Sequence, residues 1–519
     1  MGFAHFASNQ ERAQSARASR RGKHSVSVVK RTCSFCVQSE TSAKCEGSTP
    51  SGSQRQRSKM GFAHFASNKI QGVIMSLQKY GFIDINHDRL QEAKTPYKVY
   101  AELLEDEAQE QFFNVLKEPY VTYGALMPDA HTGYLMPIGG VCSAKDMIVP
   151  QFVGFDIGCG MCAYKTNWRK EDIESRAKDI YEKIVSTIPL GFNRHKNHQS
   201  LKLDLPLTDF ANHMLQSIGL RQLGTLGGGN HFIEIGYGKD GKAWIVIHSG
   251  SRGFGHKIAS HYILQAFLQK NPQEEKLEQI IKDWESRNIK FKEANPQGYE
   301  KALAKFKIKQ QAELDKKAKI DNIKEILPLD VNTPLGRDYI MDQKFALEFA
   351  LENRKRMISV INDILNEVLD SDEAFEYEDE ERFINRNHNH AEFNEKRGEW
   401  IHRKGATHAE EGMRGVIPGN MRDGSFVVIG KGNRDSLESS SHGAGRVYSR
   451  KQAKKNITLE EFEIAMEGIV GTVDENTIDE SPFAYKNIFE VMELQKDLVE
   501  VVEHIKPIIN VKDSQKSRY

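Results

Sequence analysis

At 519 residues and 39% hydrophobic content the chain can bury a large core, and length alone suggests roughly two to four domains, although single folds of this size exist. Lys+Arg and Asp+Glu both number 72, so the formal net charge is zero, which argues against a wholly electrostatic nucleic-acid binder and confines any RNA or DNA contact to a local patch. No run of about eighteen apolar residues occurs, so no membrane span is expected, and six cysteines are too few for a disulfide scaffold and point to a reducing compartment.

Residues 1–59 are rich in Ser, Arg, Lys and Gln, poor in acids and without apolar periodicity, which predicts disorder. Met1 to Asn9 reads MGFAHFASN, and Met60 to Asn68 repeats it unchanged. A tandem structural repeat would be longer and less perfect, so an upstream extension is expected, with Met60 opening the functional protein. The Arg/Ser-rich composition also suits an organelle transit peptide, though no clear amphipathic helix accompanies it. Cys33, Cys36 and Cys45 lack a fourth ligand nearby, which disfavours a zinc site.

Globular patterning begins at Ile70. The apolar run Ile148 to Phe155 reads as a strand leading into a glycine turn. Ile173, Ala177, Ile180, Tyr181, Ile184 and Ile188 follow helical spacing, and Pro189 stops the helix. Phe232 to Ile235, Trp244 to Ile247 and Phe426 to Ile429 read as short strands. Residues 265–370 are heavily charged with sparse apolar positions (Leu303, Phe306, Ile308, Ile358, Val360, Ile361, Ile364), predicting a helical excursion, a hairpin standing off the core. Thr458-Leu459-Glu460-Glu461 has capping-box form before Phe462 and Met466, and a final helix is expected to carry Val491, Met492, Leu498 and Val499. Strands and helices mix without a βαβ rhythm, so the class is α+β.

Chemistry concentrates in the connecting segments. Asp156-Ile157-Gly158-Cys159 places an acid and a thiol three apart on a glycine turn. Gly227-Gly228-Gly229-Asn230-His231 delivers a histidine onto a strand, His248 ends another, and His388 lies in Asn385 to His390. Each alone is more often a structural residue than a ligand, and Cys162 reads as core. Together, one Asp, one Cys and three His suffice for two divalent ions sharing a thiolate, and ligand softness alone favours zinc. Ser439-Ser440-Ser441-His442-Gly443-Ala444-Gly445-Arg446 sets a histidine among hydroxyls and glycines. Backbone N–H groups, the hydroxyls and Arg446 there suit phosphate oxygens, while the plainer reading is a Gly/Ser loop whose histidine caps a turn.

Met127 to Gly133, Gly154 to Met161, Leu223 to Glu234, His248 to Gly253, His402 to Ala406 and Ser441 to Arg446 resemble, in order, the motifs of the RtcB family, and the resemblance runs from about Lys69 to Asp513. It implies a single large catalytic domain over 60–513, with a central bimetallic cleft and the helical insertion, followed by a tail at 514–519. It implies a GTP- and manganese-dependent RNA ligase that joins 2′,3′-cyclic-phosphate or 3′-phosphate ends to 5′-hydroxyl ends, in tRNA splicing or RNA repair. Residue by residue, it implies that Asp156, Cys159 and His231 hold one Mn2+ and Cys159, His248 and His388 the other, replacing the zinc reading, and that His442 becomes guanylylated. Asn230, His231, Phe232, Ile233, Glu234, His388, Asn389, Pro418, Gly419, Asn420, Met421, Ser425, His442, Gly443, Ala444, Gly445 and Lys512 match positions that hold GTP, with Glu234 accepting from the guanine edge. Arg194, His195, Lys196, Arg252, Arg446 and Arg450 are candidates for an RNA surface, whereas Lys451, Lys454 and Lys455 read as a solvated helix face.

The family further implies cytoplasmic location and an archease-type activator as partner. This chain departs from its pattern at Asn420 and Arg422 and at Leu135-Met136, and Arg422 is expected to crowd the nucleotide. Rival readings are a metal-dependent RNA-end phosphoesterase and a non-catalytic RNA-binding repair factor.

Overall fold

The computed structural model describes residues 77, 78 and 80–514. Contacts divide the chain into Met1–Ala66 and Ser67–Tyr519, and every described residue belongs to the second unit. The expectations for residues 1–59, the restart at Met60, the onset of globular patterning at Ile70, the cysteines Cys33, Cys36 and Cys45, and all but the first residue of the tail lie outside the described residues.

The strands that frame the site are, in chain order, β1 (Tyr97–Val99), β2 (Val121–Tyr134), β3 (Met136–Ala144), β4 (Gly160–Arg169), β5 (Phe232–Tyr237), β6 (Lys242–Ser249), β7 (Phe383–Asn387), β8 (Asn389–Asn394), β9 (Glu399–Lys404), β10 (Arg414–Pro418), β11 (Ser425–Gly430), β12 (Val470–Gly471) and β13 (Val499–Val511). One sheet runs β7-β4-β6-β5-β13-β11-β10, with β12 beside β13; the other runs β8-β9-β3-β2-β1. All these pairings are antiparallel except β12–β13 and β1–β2. The main helices are α1 (Ala177–Thr187), α2 (Arg252–Lys270), α3 (Gln273–Arg287), α4 (Pro296–Asp321), α5 (Pro334–Leu369) and α6 (Ile488–Leu494).

Strand alternation explains why the larger sheet is covered on both faces. Ile233, Ile235, Ile245 and Ile247 point to one face, where Ile180 and Ile184 of α1 and Ile358, Ile361 and Leu365 of α5 close over them. Phe232, Trp244 and Val246 point to the other, against Val427 and Ile505. Each such fully buried side chain contributes on the order of 2 kcal/mol, so these central strands are firmly held.

The α+β class and the three predicted strands stand, as does the capping box, in which Thr458 and Glu461 bond reciprocally. The predicted helix over 173–188 is two helices, Lys170–Ser175 and α1, broken at Arg176. Ile148 to Phe155 is not a strand: after Met147–Ile148 the chain turns into the helical segment Pro150–Val153. Pro150 has no N–H for a sheet ladder and suits a first helical turn. The expected final helix stops at Leu494, and Val499 opens β13, a central 13-residue strand whose pattern is broken by Glu500, Glu503, His504 and Lys506.

Residues 265–370 are helical as expected, and Ile308 is exposed on the α3–α4 excursion. α5, however, is no excursion, because its apolar stripe packs on the larger sheet. Among the described residues no helix is long and apolar enough to cross a membrane.

Candidate metal and nucleotide site

Strand register brings four ligand candidates together. Gly160 of β4 pairs with Asn387 of β7 and with Ser249 of β6, so the residues just beyond or beside that row, Cys159, His388 and His248, meet at one end of the sheet. His388 is the single residue between β7 and β8, where the chain passes from one sheet to the other, and its backbone N–H donates to Cys159 O at 2.8 Å. His231 immediately precedes β5, whose Phe232 pairs with His248. The glycine before it is required: a Cβ at Gly227, φ 98°, would stand 2.5 Å from His231 Nδ1 and 2.2 Å from Arg252.

Cys159 Sγ lies 3.3 Å from His231 Nε2 and 3.2 Å from His248 Nε2. His231 Nε2 is 3.1 Å from Asp156 Oδ2, and His248 Nε2 is 3.2 Å from His388 Nε2. The Cys159, His231 and His248 donors lie within 4.8 Å of one another, and all three residues are buried. Burial, reinforced by neighbouring cations, holds His248 and His388 well below the usual imidazole range, so both are neutral and carry a lone pair. His231 Nδ1 sits 3.0 Å from Leu226 O, which assigns its proton to Nδ1 and turns the Nε2 lone pair toward Cys159. Burial pushes the Asp156 carboxyl up, but His231 and the Arg252 guanidinium nearby carry it below its ordinary value. Burial and Asp156 push the Cys159 thiol far up, so a cation is what would ionise it. The thiol and two imidazoles of that group, with the Asp156 carboxylate against His231 and His388 against His248, form a donor set that fits divalent metal.

His442 stands beside this cluster, its ring centroid 4.8 Å from that of His388. Its Nδ1 is 2.7 Å from Asp129 Oδ2, which also accepts the backbone N–H of His442 at 3.1 Å and of Gly443 at 3.3 Å. Asp129 is fully buried; burial raises its carboxyl, but His442 and His131 bring it below its ordinary value. The carboxylate therefore fixes the proton on Nδ1 and leaves the lone pair on Nε2. Sequence reasoning quoted Asp129 within Met127 to Gly133 but gave it no role.

Two cavities flank the cluster. The first, of about 290 Å³, is lined by Asn230, Phe232, His248, Pro418, Gly419, Asn420, Met421, His442, Gly443, Ala444, Gly445 and Lys512, and also by His131, Arg446, Arg450, Tyr485 and Asn510. The second, of about 740 Å³, reaches Asp156, His231, Arg252, Lys257 and Lys454, and shares Asn230, Arg450 and Glu480 with the first.

Several expected contacts fall elsewhere. The hydroxyls of Ser439, Ser440 and Ser441 are buried and spent within the protein: Ser439 on Arg403 and Leu437, Ser440 on the Ser441 carbonyl, Ser441 on the Asp129 N–H. The Ile233 side chain lies in the core on the opposite face of β5. Asn389 is committed to Asp156 O at 3.2 Å and to the Gly405 N–H at 2.9 Å. Glu234 and Ser425 are buried outside the lining of the first cavity, and Glu234 Oε1 has no hydrogen-bond partner among the described residues.

Arg422 points away from the cavity and pairs with Asp423 at 2.8 Å, so it does not crowd the site. Asn420 uses its amide on Asp423 and its carbonyl oxygen on two backbone N–H groups. Arg446, Arg450, Lys454 and Lys512 gather around Asp479 and Glu480, with Lys512 Nζ 2.9 Å from Glu480 and Lys454 Nζ 3.4 Å from Asp479. Arg446 and Arg450 are thus already ion-paired, and Lys454 borders the second cavity rather than a plain solvated face. Lys451 and Lys455 are exposed on that helix, and Arg194 and Lys196 are exposed with His195 half-buried.

A sequence model of the family described as tRNA-splicing ligase RtcB matches residues 111–217 and 207–513. The chain belongs to the RtcB family. It is 30% identical over 451 residues to the RNA-splicing ligase RtcB of Escherichia coli (strain K12), covering 82% of this chain and 100% of that protein. It is 28% identical over 485 residues to the tRNA-splicing ligase RtcB of Pyrobaculum aerophilum, 77% of this chain and 90% of that one. The RNA-splicing ligase RtcB homolog 1 of Entamoeba dispar is 26% identical over 481 residues, 78% and 81% respectively. In this RtcB chain the matched residues include Asp129, every ligand candidate and His442, so membership and site geometry concern the same part of the molecule.

Proposed function

We propose that the protein is a GTP-dependent RNA ligase joining 3′-phosphate or 2′,3′-cyclic-phosphate ends to 5′-hydroxyl ends, with tRNA halves or broken RNA as substrate and an archease-type activator as helper. The observation that carries this reading is the Asp129–His442 pair beside His388. A hydrolase of RNA ends needs the metal ligands, whereas a covalent guanylate intermediate additionally needs an imidazole whose Nε2 is freed by a buried carboxylate.

Asp129 holds the Nδ1 proton while His442 Nε2 attacks the α-phosphorus of GTP. The Nε2–P bond forms, the bond from the α-phosphorus to the bridging oxygen breaks, and pyrophosphate leaves. His442 then passes the guanylate to an RNA 3′-phosphate, regenerating the imidazole, and the 5′-hydroxyl of the second strand attacks that activated phosphate and expels GMP. Asp156, Cys159 and His231 on one side, and Cys159, His248 and His388 on the other, would hold two Mn2+ ions, which neutralise phosphate charge and ease departure of the leaving groups. Glu234, whose buried Oε1 has no partner among the described residues, suits the N–H edge of guanine. Gly443 to Gly445, Pro418-Gly419 and Lys512 line the space for the nucleotide, and the second cavity, with Arg252, Lys257 and Lys454, would take the RNA ends.

Incubation with labelled GTP and manganese, then denaturing electrophoresis, tests this. The parent labels covalently; His442→Ala folds and binds manganese but neither labels nor seals, and RNA already guanylylated on its 3′-phosphate restores sealing. A parent that trims ends without labelling would be a phosphoesterase, and a His442→Ala protein that labels like the parent would move the nucleophile elsewhere.

A further inference from the structure

Helix α5 buries two polar side chains that the steps above do not use. Asn353 and Arg354 are both at 0% exposure, although the run Glu352-Asn353-Arg354-Lys355-Arg356 has the composition of a solvated face. Arg354 Nη1 donates to Gly158 O at 2.9 Å and to Ser249 O at 2.7 Å. Its Nε donates to Asn385 Oδ1 at 2.8 Å and its Nη2 to Asn387 Oδ1 at 2.7 Å. Gly158 precedes Cys159, Ser249 follows His248 and Asn387 precedes His388, so three of the four acceptors are chain neighbours of ligand candidates. Asn353 serves the segment before a further candidate, His231: its Oδ1 accepts from Gly224 N and Thr225 N, and its Nδ2 donates to Thr225 O. The next residue, Leu226, offers the carbonyl that fixes His231.

A buried guanidinium is costly unless an acid compensates it. Among the described residues no carboxylate lies within ion-pair distance of Arg354, and every acceptor it uses is neutral. Packing alone would be served as well by an apolar residue, so the charge and its geometry need another explanation. A rigid planar fork can hold oxygens from three separate segments at fixed angles, which a flexible ammonium cannot.

We propose that Arg354 is the positioning residue of the metal centre, a fork that sets the separation of Cys159, His248 and His388 before the cation arrives. The inference rests on reading those residues as ligands and is independent of guanylylation. Loss of such supporting contacts typically weakens metal binding by about 10–100-fold.

The test uses the full chain stripped with chelator and titrated with Co2+, reading sulfur-to-cobalt charge-transfer absorption, with circular dichroism to follow the fold. Arg354→Lys keeps the charge but loses the fork; it is expected to fold, to bind Co2+ more weakly by roughly tenfold or more and to shift the charge-transfer band. Asn387→Ala, which removes one acceptor, gives a smaller loss in the same direction and decides the matter if the arginine variants fail to fold. Parent affinity and an unchanged spectrum in Arg354→Lys, or in Asn387→Ala when that variant decides, would overturn the proposal, as would absence of thiolate absorption in the parent. A parent that shows the cobalt signature but takes no label from GTP would defeat the ligase reading alone, and the variants would still judge Arg354.

Discussion

Cys159 is the side chain within reach of both His231 and His248, at 3.3 and 3.2 Å, and His248 in turn touches His388. Removing it should leave neither half of the cluster with its full donor set. Cys159→Ala is therefore expected to lose at least half, and up to all, of the bound manganese, while Cys162→Ala, which deletes a thiol packed in the apolar cluster under β4, keeps it. Elemental analysis of the two proteins settles this, and equal metal in Cys159→Ala and parent would refute the shared ligand. Asp129→Asn makes a different cut: the shape survives, but an amide can no longer accept and hold the Nδ1 proton in the same way. Labelling by GTP should slow by roughly a hundredfold or more with metal content unchanged. The ligand candidates were legible in the sequence because glycines frame most of them, a costly choice unless backbones must approach closely. The role of Asp129 was not, since it is expressed only with a partner 313 positions away. Asn353 and Arg354 gave no local signal at all.

At the scale of single elements, the hairpin between β2 and β3 contains Leu135 at φ 58°, in the left-handed region where a Cβ is strained. The chain carries a leucine there in a conformation suited to glycine. Leu135→Gly should relieve about 1 kcal/mol of that strain, and urea unfolding read at the midpoint measures it; a destabilised variant would show that the leucine's packing outweighs the backbone. The second departure is quieter. Arg422 lies outside the nucleotide cavity on Asp423, so Arg422→Gly should leave GTP labelling within about twofold of the parent, a change below roughly 0.4 kcal/mol. Strands with clean apolar runs were readable, whereas β13 was hidden because Glu500, Glu503, His504 and Lys506 interrupt its pattern. α5 was misplaced because its charged residues are numerous and its apolar stripe long but sparse.

Over the whole molecule, two oppositely shifted buried groups near the nucleotide cavity shape the response of the folded state to pH. Burial brings the His131 imidazole down to about 4, from an ordinary 6.5, so as pH falls below 6.5 the unfolded chain takes up a proton that the folded chain refuses, and stability declines toward pH 4. Burial pushes Glu234 up to about 8, from an ordinary 4.5, with the Ser425 hydroxyl opposing. Between those values the folded chain keeps a proton that the unfolded chain releases, so this contribution is fully present below 4.5 and is lost as pH rises through 8. The metal-free, nucleotide-free protein should therefore be most stable between the two limbs. Glu234→Gln tests the alkaline one, because an amide keeps the size and polarity of the protonated acid but never ionises. Its melting temperature relative to the parent should rise from pH 5 to pH 8, by an amount on the order of a few kcal/mol or less in free energy. The same substitution removes the acceptor proposed for guanine, so labelling by GTP should weaken even at pH 5, where the stability difference is smallest. A constant gap in melting temperature at both pH values would show that the Glu234 carboxyl titrates alike in the folded and unfolded chains.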